Sequence, residues 1–139
     1  MGIAEPMPAP STLTSHQAPA LLVAALTRAE AGGAAGQTRL LNPDGLDLLQ
    51  MLEGGAQSVA VIMGQALRTQ GGPAASGMLV GSKEVVLRRP ARPGELVQVN
   101  ATLAHALEPF RLYSITVTGA ESEVLLTAEI KTMATNVSP

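Results

Sequence analysis

One long amphipathic helix, in a chain otherwise written in strand patterns, is what most limits how this sequence can fold. From about Leu46 to Thr69, residues Leu48, Leu49, Leu52, Ala56, Val59, Met63, Ala66 and Leu67 recur every three or four positions. That is the period of a helix with a single apolar stripe. Asp44 or Asp47 stands near its start, where a carboxylate suits the positive end of the helix dipole, and Gly71-Gly72-Pro73 stops it. At 1.5 Å per residue such a helix spans about 35 Å, which is long for a small chain.

The helix must bury its stripe, and the rest of the chain offers a sheet. Two weaker strand candidates precede it, Ala20 to Arg28 and Gly36 to Leu41, separated by the turn Ala31-Gly-Gly-Ala-Ala-Gly36. Four stronger ones follow: Gly77 to Arg88, Leu96 to His105, Phe110 to Thr118 and Glu123 to Thr135. Val97, Val99, Ala101 and Leu103 alternate with polar neighbours. Tyr113, Ile115 and Val117 alternate with Leu112, Ser114, Thr116 and Thr118. Sequential strands joined by short turns imply antiparallel pairing. The expected fold is therefore α+β, a curved antiparallel sheet wrapped around one long central helix, which is the hot-dog architecture. Residues 1–13, with Pro6, Pro8 and Pro10, read as a loose tail, leaving 14–139 as a single domain.

Composition removes several function classes. The chain of 139 residues has no cysteine, so disulfides, thiolate metal sites and a cysteine nucleophile are excluded. Two histidines, His16 and His105, are too few for a multi-histidine zinc site, and no metal or other cofactor is expected. A formal charge of −2 without charge blocks argues against a nucleic-acid partner. No run of about 18 apolar residues is present, so no membrane span is expected. Met1 to Thr12 lacks the basic and apolar regions of a secretory signal, which makes a cytoplasmic protein the default.

Four stretches resemble the 3-hydroxyacyl-[acyl-carrier-protein] dehydratases of the hot-dog superfamily. His16-Gln-Ala-Pro-Ala-Leu-Leu22 is similar to the family's opening His-Arg-x-Pro-x-Leu-Leu. Leu52-Glu-Gly-Gly-Ala-Gln57 is similar to its helix motif Glu-x-x-Ala-Gln. Gly77-Met-Leu-Val-Gly81 resembles the Phe-Leu-x-Gly strand that follows the helix. Arg89-Pro-Ala-Arg-Pro-Gly-Glu-Leu96 resembles the Pro-Val-x-Pro-Gly-Asp-x-Leu turn. The likeness runs from His16 to the end of the chain. The spacing from Gly45 to Glu53 is closer to the dehydratases of aryl-polyene pathways than to the housekeeping fatty-acid enzymes. In one respect the chain departs from the latter: the segment Arg39 to Gly45 lacks the histidine of their His-Phe-Pro motif.

The resemblance implies an acyl-thioester-binding protein that dehydrates 3-hydroxyacyl thioesters, carried on acyl carrier protein or coenzyme A. It also implies a homodimer, or a higher oligomer of dimers, with the site between subunits. Dehydration needs a base, an acid for the departing hydroxyl, and donors for the thioester oxygen. Glu53 and Gln57 are the catalytic candidates on the helix, one turn apart on one face. His16 is a candidate for the missing base, against the alternative of a structural or exposed histidine. His105, at a turn between strands, is a weaker one. Gly45 would polarise the carbonyl from the helix start, or belong to an ordinary N-terminal loop. Val80 and Gly81 would line an acyl tunnel, or, for Val80, belong to the core. Gly54 and Gly55 signal close packing of a partner helix or an acyl chain. Lys83, Arg88, Arg89 and Arg92 would dock the carrier protein or phosphates, or be solvated turn charges. Two rival functions stay open: an acyl thioesterase, and a non-catalytic pairing subunit.

Overall fold

A computed structural model describes residues 22–69 and 76–135. The tail of residues 1–13, His16 and the Gly71-Gly72-Pro73 stop lie outside the described residues. The elements run β1 (Val23–Ala29), β2 (Ala35–Leu40), α1 (Leu48–Thr69), β3 (Ser76–Leu87), β4 (Val97–Leu107), β5 (Phe110–Thr118) and β6 (Val124–Thr135). The strands form one six-stranded sheet in the order β1-β2-β4-β5-β6-β3, antiparallel at every pairing. The sheet wraps α1, and the fold is the hot-dog fold.

Period-2 alternation decides which side of each strand meets the helix. Val97, Val99 and Ala101 of β4, and Tyr113, Ile115 and Val117 of β5, are buried, while Thr102 and Ser114 face outward. Met51, Val59 and Ile62 of α1 complete this core with Leu126 and Ile130 of β6. Each such side chain contributes roughly 1.5–3 kcal/mol when fully buried. Tyr113, the one tyrosine, is fully buried, and its hydroxyl donates to Gly33 O at 3.0 Å. It thereby ties β5 to the turn between β1 and β2, satisfying the polar tip of an otherwise apolar ring.

Several expectations need correction at this scale. The helix begins at Leu48, because Leu46 pairs instead with Ala91: Leu46 N donates to Ala91 O at 3.2 Å and Ala91 N to Leu46 O at 2.9 Å. His105 is a β4 residue paired with Leu112, since β4 runs on to Leu107. Gly54 and Gly55 face side chains of this chain's own strands. A Cβ on Gly54 would stand 2.6 Å from Leu40 Cδ1, and one on Gly55 would stand 2.5 Å from Ile115 Cδ1. The two glycines bring α1 close to its own sheet. The same contact is stitched by polar atoms: Ser58 Oγ donates back to Gly54 O at 2.6 Å, so in its 2.6 Å contact with Thr38 the threonine hydroxyl is the donor.

Candidate functional site

Glu53 sits in the second turn of α1, half-buried, and Gln57 one turn further on is fully buried. Gln57 Oε1 accepts from the Leu22 backbone N–H at 2.6 Å, and Gln57 Nε2 donates to Glu53 Oε1 at 3.2 Å. An amide offers one acceptor end and one donor end, so the bond from Leu22 turns the donor end toward Glu53. Burial leaves Gln57 little freedom to swing away. The Glu53 carboxylate is thus held by its neighbour on the helix.

It is held at a cleft of about 430 Å³ between the first turns of α1 and strands β3 and β6. Among the described residues the lining is Leu49, Leu52, Glu53, Ser82 and Ile130. One carboxylate and one hydroxyl therefore face an apolar space. Leu49, Leu52 and Glu53 follow i, i+3, i+4 spacing and share a face, a signal present in the sequence but not drawn from it. Ser82 carried no such signal. The sequence pointed one and two positions earlier, to Gly81 and Val80; neither lines this cleft, and Gly81 lines a second groove that Ser82 also borders. Leu79 pairs with Thr132 and Gly81 with Lys131, so Val80 is an extra residue that shifts the register, and it is 47% exposed rather than in the core.

Two loops fix the start of α1. Asp47 Oδ1 accepts from Gln50 N at 2.8 Å, and Asp47 N donates to Gln50 Oε1 at 2.9 Å. This reciprocal pair is a capping box in which Gln50 plays the N3 role. Just before it, Asn42 Nδ2 donates to Arg92 O and Glu95 O at 2.7 and 2.9 Å, and Gly94 N donates to Asn42 O at 2.8 Å. Residues 42–47 and 91–95 therefore form one joined loop beneath the helix start. Gly45 adopts φ +88 there, and a Cβ on it would meet Ala91 O at 3.0 Å, so both conformation and space favour glycine.

The cations expected to act together are divided. Arg89 clasps Glu95 through two bonds, at 2.9 and 2.6 Å, and Glu123 through two more, at 3.2 and 2.9 Å. Glu95 also accepts from Arg92 N and Ala120 N at 2.9 and 2.8 Å. The Arg89 guanidinium holds the Glu95 carboxyl far below the usual carboxylate range, with the two backbone donors assisting against the opposing cost of burial. It lowers Glu123 as well, and its own pKa rises. With its side chain 17% exposed, Arg89 joins two turns rather than facing solvent. Arg88 and Arg92 are exposed. Lys83 lies elsewhere, on β3, 3.8 Å from Glu129.

Among the described residues the one histidine, His105, does not line the Glu53 cleft but a groove of about 450 Å³ on the outer face of the sheet. Also among them, no group of three or more His, Cys, Asp or Glu is placed to hold a metal ion, and no helix is long and apolar enough to cross a membrane.

A sheet curved round one helix defines a hot-dog protein, and here a carboxylate from that helix faces an apolar cleft. The chain belongs to the ApeP-like dehydratase family, described as ApeP dehydratase, whose family model matches residues 8–138. Among solved structures it is similar to the dehydratase heterocomplex ApeI:P from Xenorhabdus doucetiae, with 18% identity, 94% of this chain and 93% of that chain covered, and a TM-score of 0.80. It is also similar to the PaaI protein of the E. coli phenylacetic acid degradation operon, at 9% identity, 74% of each chain and a TM-score of 0.59. A hypothetical thioesterase with coenzyme A from Streptococcus pneumoniae TIGR4 matches at 9% identity, 80% of this chain and 84% of that chain, with a TM-score of 0.59. At these identities the structures share the fold. Comparison with curated sequences gave no match.

Proposed function

We propose that this protein removes water from 3-hydroxyacyl thioesters to give 2-enoyl thioesters, with Glu53 at the reacting centre. The observation that carries the reading is the Glu53 carboxylate, held by Gln57 and facing an apolar cleft, in a chain of a dehydratase family. In the elimination the C2–H bond breaks and its electron pair forms the C2=C3 bond. The C3–O bond breaks, and the hydroxyl takes a proton to leave as water. Glu53 donates that proton. His16 is the base that takes the C2 proton, and Gln57 positions Glu53. The backbone at Gly45 and the first turn of α1 polarise the thioester oxygen, where the helix dipole favours developing negative charge. Val80 and Gly81 guide the acyl chain past the mouth of the cleft. No resident cofactor takes part.

The thioester arrives on acyl carrier protein or coenzyme A, as in fatty-acid or polyketide-like biosynthesis in the cytoplasm. Lys83, Arg88 and Arg92 meet its acidic surface or phosphates, while Arg89 serves its carboxylates. A second chain covers the mouth of the cleft and the open edge of β3. The support for this is apolar exposure where a monomer gains nothing from it: Leu49 is 73% exposed and Val80 47%. A homodimer, or a larger oligomer of dimers, is the simplest assembly.

One observation favours a second reading. Among the described residues no histidine lines the Glu53 cleft. If His16 does not supply the base, this chain pairs with a sister subunit that does, and acts as a pairing partner. A thioesterase, which needs only a carboxylate to activate water, has no observation of its own in favour beyond shared fold.

The test incubates purified protein with a 3-hydroxyacyl thioester and follows enoyl absorbance and free thiol together. Enoyl product from the chain alone, lost in Glu53→Gln and in His16→Ala, supports the proposal. Enoyl product retained in His16→Ala removes His16 from the mechanism. Free thiol without enoyl product makes it a thioesterase. Neither product, with activity appearing only on adding a second hot-dog chain, makes it a pairing subunit.

A further inference from the structure

We infer that the groove on the outer face of the sheet is a second ligand site, for an amphipathic carboxylate such as a medium-chain fatty acid. It lies on the opposite side of the sheet from α1 and is built by cross-strand registration. His105 of β4 pairs with Leu112 of β5, Leu112 with Lys131 of β6, and Lys131 with Gly81 of β3. Leu107 pairs with Phe110 at one end of this row, and Lys83 with Glu129 at the other. Each registered set projects to one side of the sheet, so these side chains share the outer face.

The groove has two chemically different parts. Leu107, Phe110 and Leu112 give an apolar wall, with Leu107 70% exposed. Lys83, Arg111 and Lys131 set three cations beside it against two carboxylates, Glu129, 3.8 Å from Lys83, and Glu108, which pairs with Arg111 at 3.2 Å. In a chain of formal charge −2 this is a local excess of positive charge. Lys131 Nζ lies 4.6 Å from the centre of the Phe110 ring, so charge and apolar wall meet at one point. A bound ligand needs an anionic end for the lysines and an apolar body for the Leu107–Leu112 wall. A carboxylate on an alkyl chain supplies both, whereas inorganic anions and neutral lipids each supply one. The volume of about 450 Å³ is within the range of ligand clefts. Gly81 leaves the floor open, since a Cβ there would meet nothing within 4 Å. Glu53 does not line the groove, although Ser82 borders both it and the Glu53 cleft, and the groove's existence does not depend on the reaction proposed above.

The experiment is photolabelling of the full chain with a diazirine analogue of decanoate, with labelled positions mapped by mass spectrometry. The expected result is saturable labelling in the segment from His105 to Leu112, at least tenfold weaker in Lys83→Gln/Lys131→Gln and unchanged in Glu53→Ala. Both lysines are exposed, so the variant keeps its fold, which a melting curve checks. On the wild-type chain the corresponding diazirine alcohol should label this segment at least tenfold less. Labelling confined to the Leu49–Glu53 face, labelling by the neutral alcohol equal to the acid, or labelling indifferent to the lysines would each overturn the inference.

Discussion

In the proposed reaction Glu53 must keep its carboxylate where the cleft needs it, and Gln57 Nε2, donating at 3.2 Å, helps to hold it there. Replacing Glu53 by Gln keeps the shape of the side chain and removes the acid. General acid–base groups contribute roughly 10²–10⁴-fold, so kcat on a 3-hydroxyacyl thioester should fall by about that factor, while the melting temperature stays close to wild type. Gln57→Leu should behave differently. It removes the Gln57 Nε2 bond to Glu53 and also strands the Leu22 N–H that now donates to Oε1. A buried donor left without a partner costs about 1–3 kcal/mol, so this variant should lose both turnover and stability in a denaturant melt. The motif Glu-x-x-x-Gln was visible in the sequence because helical spacing puts the two residues on one face. The bond to Leu22 was not, since it joins positions 35 apart. Arg89 shows the same limit. Beside Arg88 and Arg92 it reads as one of a cluster of turn cations, and only the fold brings Glu123 to it.

Among the elements, α1 was the most legible and its packing the least. Its period, its length and an acid near its start are local properties, and the helix extends over Leu48–Thr69. What Gly54 and Gly55 face depends on strands far away in sequence. They point at Leu40 and Ile115, so the close approach they allow is to this chain's own sheet. Gly55→Ala should accordingly destabilise. Helix propensity favours alanine by up to about 1 kcal/mol, but the new methyl would meet Ile115 Cδ1, and overpacking costs typically about 1–3 kcal/mol. A lowered midpoint in urea checks this, and a raised midpoint would show that the sheet yields easily. Strands β4 and β5 were legible through strict alternation. Strand β3 was legible in its extent, read as Gly77 to Arg88 and found at Ser76–Leu87, but not in its faces, because its register shifts at Val80 and again between Lys83 and Val86, where Glu84 takes φ +53, and each shift changes which face a residue occupies.

For the whole molecule, the sheet order was hidden for a plain reason. The β6–β3 pairing closes a long loop, and no local pattern encodes it. The Arg89–Glu95–Glu123 group gives this level its pH dependence. The folded Glu95 carboxyl titrates below its unfolded value of about 4.3. Its contribution is therefore complete above that value and is lost as pH falls through the folded value. Wild-type melting temperature should decline as pH drops below about 4.3, and Glu95→Gln should be less stable at neutral pH with a shallower acid decline. The open edge of β3 and the exposed Leu49 bear on assembly. If a second chain covers the cleft mouth as proposed, Leu49→Glu together with Val80→Lys should shift the protein toward monomer in sedimentation and lower its turnover. The proposed activity is one reaction at one carboxylate. Its most direct test is the rate of enoyl-thioester formation from a 3-hydroxyacyl thioester by wild-type protein and by Glu53→Gln. Rapid formation by the wild type and a loss of about 10²–10⁴-fold in the folded variant is the predicted result; equal rates in the two proteins would contradict it.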